Sequence, residues 1–364
     1  MSGDISGWSV AALSFRSSRH WRPRSIGMWL FAALTFTGLI ASRAEAQSGE
    51  PIGILLAAGD IAGCHQTGTK HAEMAAQIQK EIDAVHPLPV GVLALGDLAY
   101  ADYVHNKKTK KTKLAPGTYA PCFESFKATW GAHKDRLFPV PGNHDYTDDV
   151  PANKQPTPAK LYKEYFAQRI LDLKQASGNP VDPTDKRLSF VTRFPAGHSD
   201  SWLLAGMNFY GSELEPKTWL AEQLAAPVPR CVLVFTHPFF ASSGEHGKGK
   251  VYKPMLKVMS VLHEQGATVL LSGHDHVLEQ FRKADGTGKA DPAKGVRSFV
   301  VGTGGAKLYP TFVKHALSEH FANKSKGFLK LTLYRDGYKW SFIAVDGPAV
   351  DLPVGGEACN RKPA

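Results

Sequence analysis

The chain is 364 residues long with a formal net charge of +10, 43% hydrophobic and 21% charged. That is an ordinary globular composition, and it excludes a disordered, collagen-like or small disulfide-stapled chain. The excess of 43 Lys and Arg over 33 Asp and Glu raises nucleic acid as a partner, to be judged by where the charge sits.

The first segment reads as an address. Residues 16–24 carry four arginines, 26–41 form an uncharged apolar run, and Ala44-Glu45-Ala46 has the small-x-small form of a cleavage site. That order describes a secretory signal peptide over residues 1–46. The alternative, a membrane anchor, meets a run of 16 residues where about 20 are needed to span. The expected product is an exported protein, periplasmic or secreted, without a membrane segment after cleavage. Cys64, Cys122, Cys231 and Cys359 are an even set, which permits disulfides in three pairings if all are bridged. Cys231 also reads as a packed free thiol.

From residue 47 onward, apolar runs bounded by turn residues alternate with helical spacing. The predicted strands are 52–58, 90–95, 137–140, 231–235 and 268–271. The predicted helices are 70–84, 123–136, 159–173, 216–226 and 251–265. Such alternation implies a layered α/β fold with a largely parallel sheet. The later strands 296–301, 328–334 and 339–345 have no helices between them and predict a second, more antiparallel sheet. Residues 101–121 read as an irregular surface loop. No linker divides the chain, so 47–364 is expected to be one domain.

Five short motifs follow predicted strands: Gly59-Asp60, Gly96-Asp97-Leu98-Ala99-Tyr100, Gly142-Asn143-His144-Asp145, Thr236-His237-Pro238 and Gly273-His274-Asp275-His276. Each alone is ordinary turn chemistry. Together they put metal-competent side chains at strand exits, where open α/β sheets bind ligands. Asp60, Asp97, Tyr100, Asn143, His237, His274 and His276 are too many donors for one ion and suit two, with Asp97 as the natural bridge. A cation pair at roughly 3.5–4 Å serves in-line displacement at phosphorus.

In this order the motifs resemble those of the calcineurin-like metallophosphoesterases, and GDLAYAD is most similar to the purple acid phosphatase branch and its small bacterial relatives. The resemblance runs from Gly59 to Trp340. It implies a four-layer α/β/β/α sandwich with two mixed sheets and a dimetal site at the carboxyl ends of the strands. By position, Asp60, Tyr100 and His276 would hold the first ion, Asp97 would bridge, and Asn143, His237 and His274 would hold the second. The general family pattern has a histidine two residues after the first aspartate. Here that residue is Ala62, and the Tyr100 phenolate takes its place, favouring Fe³⁺ at the first site. Zn²⁺, Mn²⁺ or Fe²⁺ suits the second.

The resemblance implies hydrolysis of small phosphate monoesters by in-line attack of a metal-bound hydroxide. His144 would be the general acid, Asp145 would orient its ring and raise its pKa, and His246 would contact phosphate. A phosphodiesterase on the same centre and a non-catalytic basic binding module are the alternatives. As to charge, residues 1–46 hold +3 and the remainder +7, five of it in the lysines at 107, 108, 110, 111 and 113. No broad basic face for nucleic acid is expected. The lysine run reads as a solvated loop, or as one that steers anionic substrates.

Overall fold

Unbroken apolar runs set the frame of the computed structural model, which describes residues 49–64, 66–106, 111–115, 117–146, 157–178, 182, 185–210, 216–225 and 228–361. The expected signal peptide and lysines 107, 108 and 110 lie outside these residues. All described residues fall in one compact unit, Ser42–Ala364. Strands β1 (Gly53–Ala58) and β2 (Val90–Leu95) are buried at every position, as strands covered on both faces are. They pair in parallel, and α1 (His71–Ala84) crosses between them with Met74, Ala75, Ile78 and Ile82 buried.

The sequence reading expects an irregular loop over 101–121, but the backbone there forms an antiparallel hairpin, β3 (Tyr103–Asn106) with β4 (Lys111–Leu114). Next, α2 (Tyr119–Ala128) and a 3₁₀ segment (Trp130–Arg136) replace the single expected helix. They lead into β5 (Leu137–Val140), parallel to β2. Helix α3 (Pro158–Gln175) opens with Pro158 in its first turn and with the Thr157 side chain accepting from the Lys160 N–H, two standard start signals.

The second half of the chain contains β6 (Phe190–Phe194), β7 (Trp202–Gly206), α4 (Pro216–Ala225) and β8 (Val232–Phe235). A short pair follows, β9 (Ala241–Ser242) with β10 (Lys250–Val251), and then α5 (Lys253–Glu264) and β11 (Val269–Ser272). Six strands close the chain: β12 (Leu278–Phe281), β13 (Arg297–Val301), β14 (Ser318–Ala322), β15 (Lys326–Leu333), β16 (Gly337–Asp346) and β17 (Gly355–Ala358).

Two large sheets result, ordered β17-β16-β15-β1-β2-β5 and β14-β12-β13-β11-β8-β7-β6. Both are mixed. The early strands therefore do not share one parallel sheet: β1, β2 and β5 run parallel in the first, whereas β8 and β11 are parallel neighbours in the second. The late strands divide as well, with β15 antiparallel to β1 and β13 parallel to β11. An apolar run specifies burial but not the neighbour it pairs with, so the sequence carries no sign of this partition.

Side-chain alternation builds two cores. On β7, Trp202 and Leu204 join the core that contains β1, β2 and helices α1–α3, while Leu203 and Ala205 join the one that contains α4 and α5. That is the period of two expected of a strand covered on both faces. Two disulfides tie the chain down, Cys64–Cys122 and Cys231–Cys359. Cys231 is therefore bonded, not a free thiol. Among the described residues no helix is long and apolar enough to cross a membrane.

Candidate metal centre

The loops leaving β1 and β2 run side by side, continuing the strand pairing by backbone bonds. Asp60 N–H donates to Gly96 O at 2.9 Å, Ile61 N–H to Asp97 O at 2.9 Å, and Tyr100 N–H to Ala62 O at 3.0 Å. This pairing places Asp60, Asp97 and Tyr100 together. Three of the candidate ligands adopt left-handed backbone, Asp60 at φ 62°, Asp97 at 49° and His274 at 73°. Such residues cost on the order of 1–3 kcal/mol each and concentrate at functional sites. The glycines of the motifs serve close approach. A Cβ on Gly142 would lie 2.1 Å from Asp97 Oδ1, and one on Gly96 would lie 2.5 Å from His237 Nδ1.

One group of donors converges on the Tyr100 hydroxyl. It donates to Asp60 Oδ1 at 2.8 Å and lies 2.9 Å from His276 Nε2, which is itself 3.2 Å from Asp60 Oδ1. A second group gathers around His237 Nε2, with Asn143 Oδ1 at 3.2 Å, His274 Nδ1 at 3.2 Å and Asp97 Oδ2 at 3.3 Å. Asp97, His237 and His274 present ligand atoms all within 4.8 Å of one another, a candidate metal cluster. The groups are stitched together by the His274 N–H, which donates to Asp60 Oδ2 at 2.9 Å.

The chemistry of this donor set fits cations. His237 Nδ1 donates to Leu95 O at 2.8 Å and His276 Nδ1 to Lys307 O at 2.6 Å. Both rings thus turn Nε2 inward, the usual way a protein orients a ligating imidazole. The site is also electrostatically strained. Burial works to raise the Asp97 carboxyl, but His237, His144 and His274 pull it well below the usual carboxylate range. Burial opposes charge on His237, yet Asp97 and Asp60 raise it to about 9. Burial and the neighbouring His237 charge push His274 down to about 3. For Tyr100, burial and the Asp60 charge hold the phenol well above its usual value, so a cation is what would ionise it.

His144 sits at the rim, its side chain 17% exposed. Its N–H donates to Asp97 Oδ1 at 2.8 Å, its Nε2 is 3.8 Å from Asp97 Oδ2, and its ring lies 4.5 Å from that of Tyr100. Asp145 is expected to raise the His144 pKa, but its fully buried carboxylate is engaged elsewhere. It accepts from Leu98 N–H at 3.0 Å, Gly142 N–H at 2.9 Å and the Tyr119 hydroxyl at 2.7 Å. Asp145 thus ties the loop after β2 to the loop after β5. Burial lowers the His144 pKa, and Asp97 and Asp60 are the carboxylates that counter it.

His246 is exposed and stacks on His274, ring centroids 4.7 Å apart. Sequence reasoning missed two aromatic residues of this centre. Tyr119 carries no motif. Tyr309 lies flat on His276, ring centroids 4.1 Å apart, eight residues past the strand predicted over 296–301 and outside every motif.

A family model described as calcineurin-like phosphoesterase matches residues 55–278. The tartrate-resistant acid phosphatase type 5 of Rattus norvegicus is 26% identical over 214 residues, covering 54% of this chain and 58% of that protein. The match therefore spans less than two thirds of that relative. Among solved structures, purple acid phosphatase PPD1 from yellow lupin (Lupinus luteus) seeds is similar with a TM-score of 0.58 and 16% identity, over 84% of this chain and 53% of that one. GAP50, described as the anchor in the inner membrane complex of Plasmodium, gives a TM-score of 0.55 at 13% identity, over 86% and 90%. At these identities the structural likeness shows the fold alone.

Proposed function

The chain belongs to the calcineurin-like phosphoesterases, and on that premise we propose that it is an exported, two-metal phosphomonoesterase of the purple acid phosphatase type. General metal-dependent phosphoesterase activity follows from the family and the candidate cluster. The observation that carries the finer reading is the convergence of seven donor side chains from five strand-exit loops, with neighbouring donors at 2.8–3.3 Å. Asp60, Tyr100 and His276 would hold one cation and Asn143, His237 and His274 the other, with Asp97 shared. The phenolate of Tyr100, a hard anionic oxygen, favours Fe³⁺ at the first position. The His/Asn set favours Zn²⁺, Mn²⁺ or Fe²⁺ at the second.

When bound, such a pair supplies Lewis-acid polarisation of the phosphoryl group and a water ionised at neutral pH. The chain's own residues do the rest. His144, anchored by its N–H to Asp97 and open on one side, donates a proton to the departing alkoxide oxygen. His246, stacked on His274, hydrogen-bonds a non-bridging phosphoryl oxygen. Asp145 holds the loops of Asp97 and Asn143 at a fixed separation. The layers are read as α/β/β/α, with residues 47–364 as the mature domain. Export is supported by the signal-like leader and by two disulfides, which persist in oxidising compartments.

The test is an assay of the purified mature protein on a nitrophenyl phosphate and on its bis-ester, with the visible spectrum recorded. The monoesterase reading expects the mono-ester to be the faster substrate and a phenolate-to-iron band that Tyr100→Phe removes. A faster bis-ester makes the enzyme a phosphodiesterase. Neither turnover nor metal makes it a non-catalytic module.

A further inference from the structure

Asp275 stands between two metal-centre histidines, yet its side chain turns away from them. It is completely buried. Its carboxylate accepts from the Ser242 hydroxyl at 2.6 Å, from His246 N–H at 3.2 and 3.3 Å, and from Gly247 N–H at 3.2 Å. All three donors lie on the 242–247 loop, which carries His246. The Ser242 hydroxyl in turn accepts from Gly244 N–H at 2.9 Å. Packing is close, since a Cβ on Gly244 would lie 2.7 Å from Asp275 Cγ.

A second carboxylate repeats the arrangement one step along the chain. Glu279, on β12 and also completely buried, accepts from Ser243 N–H at 2.7 Å and from the Ser243 hydroxyl at 2.5 Å. The Ser243 hydroxyl and carbonyl then accept from His315 N–H and Val313 N–H at 2.9 and 2.7 Å. The segment that supplies His274 and His276 therefore grips the 242–247 loop twice.

We propose that Asp275 is a positioning residue that fixes His246 over His274, so that the phosphate-contacting loop and the histidine ligand loop form one rigid unit. This rests on the reading of His246 as a phosphate contact. The logic is geometric. A charged carboxylate that accepts backbone N–H groups makes strong, directional bonds, and the two donors nearest His246 are its own N–H and that of Gly247. An amide at position 275 keeps the volume but removes the charge, and in either orientation its NH2 group replaces one of the two oxygens facing His246 N–H, loosening the loop while leaving His274 and His276 in the chain. Displacement of a substrate-positioning group by about 1 Å can cost about 100-fold.

The experiment uses the mature holoenzyme and compares wild type, Asp275→Asn, His246→Ala and the double variant. Metal content, the inhibition constant of inorganic phosphate, and kcat and KM on nitrophenyl phosphate are measured. Asp275→Asn is expected to keep the wild-type metal content and raise the phosphate inhibition constant and KM about 10- to 100-fold. The double variant should be no worse than His246→Ala alone. A purely structural role would not produce that non-additivity. Effects that multiply, or an Asp275→Asn inhibition constant within twofold of wild type while His246→Ala raises it, overturn the positioning role. If His246→Ala itself leaves phosphate inhibition unchanged, the reading of His246 falls and the inference with it. Should Asp275→Asn not fold, Ser242→Ala removes one donor and leaves both N–H bonds. It is expected to weaken phosphate inhibition in the wild-type background but not in His246→Ala, and an unchanged constant in the wild-type background refutes the role.

Discussion

Two charge clusters in this molecule, each with buried members, are built to opposite ends. In one, the Arg297 guanidinium lies between Glu319 and Glu357, with Gln280 and Tyr338 bonding the carboxylates. Burial opposes the Arg297 charge, but Glu357 more than compensates and its pKa rises. Burial likewise opposes ionisation of Glu319, but Gln280 and Arg297 hold it below its usual range. Opposite charges meet through both terminal nitrogens of the guanidinium, and only its Nε is left without a hydrogen-bond partner. In the other, His237 is driven up to about 9 and His274 down to about 3, although their facing nitrogens are only 3.2 Å apart. There burial and the His237 charge, which Asp97 and Asp60 sustain, oppose a further charge on His274. A self-compensated cluster holds a fold together. A cluster of mutually opposed donors is the kind of site that suits the pair of cations proposed above.

The largest break in this comparison is Asp97→Asn, which removes the charge shared by both donor groups. It is expected to abolish metal retention and to reduce turnover by more than about 10³-fold, checked by metal analysis and steady-state assay. His144→Ala should separate proton donation from metal binding. Metals stay, and rate falls about 10²- to 10⁴-fold, least on substrates with acidic leaving groups. A uniform loss across leaving groups would remove the acid role.

The other cluster answers differently. Arg297→Met leaves the buried Glu357 carboxylate without its charged partner and should cost about 3–5 kcal/mol in denaturant unfolding. Metal content and kcat/KM of the folded protein should not change. The smallest effect is at Glu279, which burial pushes up to about 7 from an ordinary value near 4.5. The folded state therefore holds a proton that the unfolded state releases. Stability is unpenalised below about pH 4.5, declines as pH rises through the interval to about 7, and above it carries a cost of about 3 kcal/mol. Glu279→Gln, whose amide can accept from Ser243 N–H and donate to Ser243 Oγ, should remove that slope from the pH dependence of unfolding.

The site was far more legible in the sequence than the sheets around it. Each candidate ligand sits two to five residues past an apolar strand, four of the seven directly behind a glycine, and its chemistry is in its own side chain. Three-dimensional proximity then follows from the rule that ligands gather at strand carboxyl ends. Strand partition is a different kind of information. The runs at 90–95 and 231–235 look alike, yet β2 and β8 belong to different sheets. The β3–β4 hairpin was hidden by its lysine-rich composition, which reads as solvent-exposed loop. The role of Asp145 was misjudged for a related reason. Adjacency to His144 in sequence says nothing about where a buried carboxylate finds its donors, and it finds them on the neighbouring loop and on Tyr119.

The most direct test of the two-cation account is elemental analysis of the mature protein, purified without chelators, beside its Asp97→Asn variant. The account predicts two metal equivalents per chain in the wild type, one of them iron, and loss of both in the variant. A wild-type protein that binds one equivalent or none, or a variant that keeps two, would contradict it.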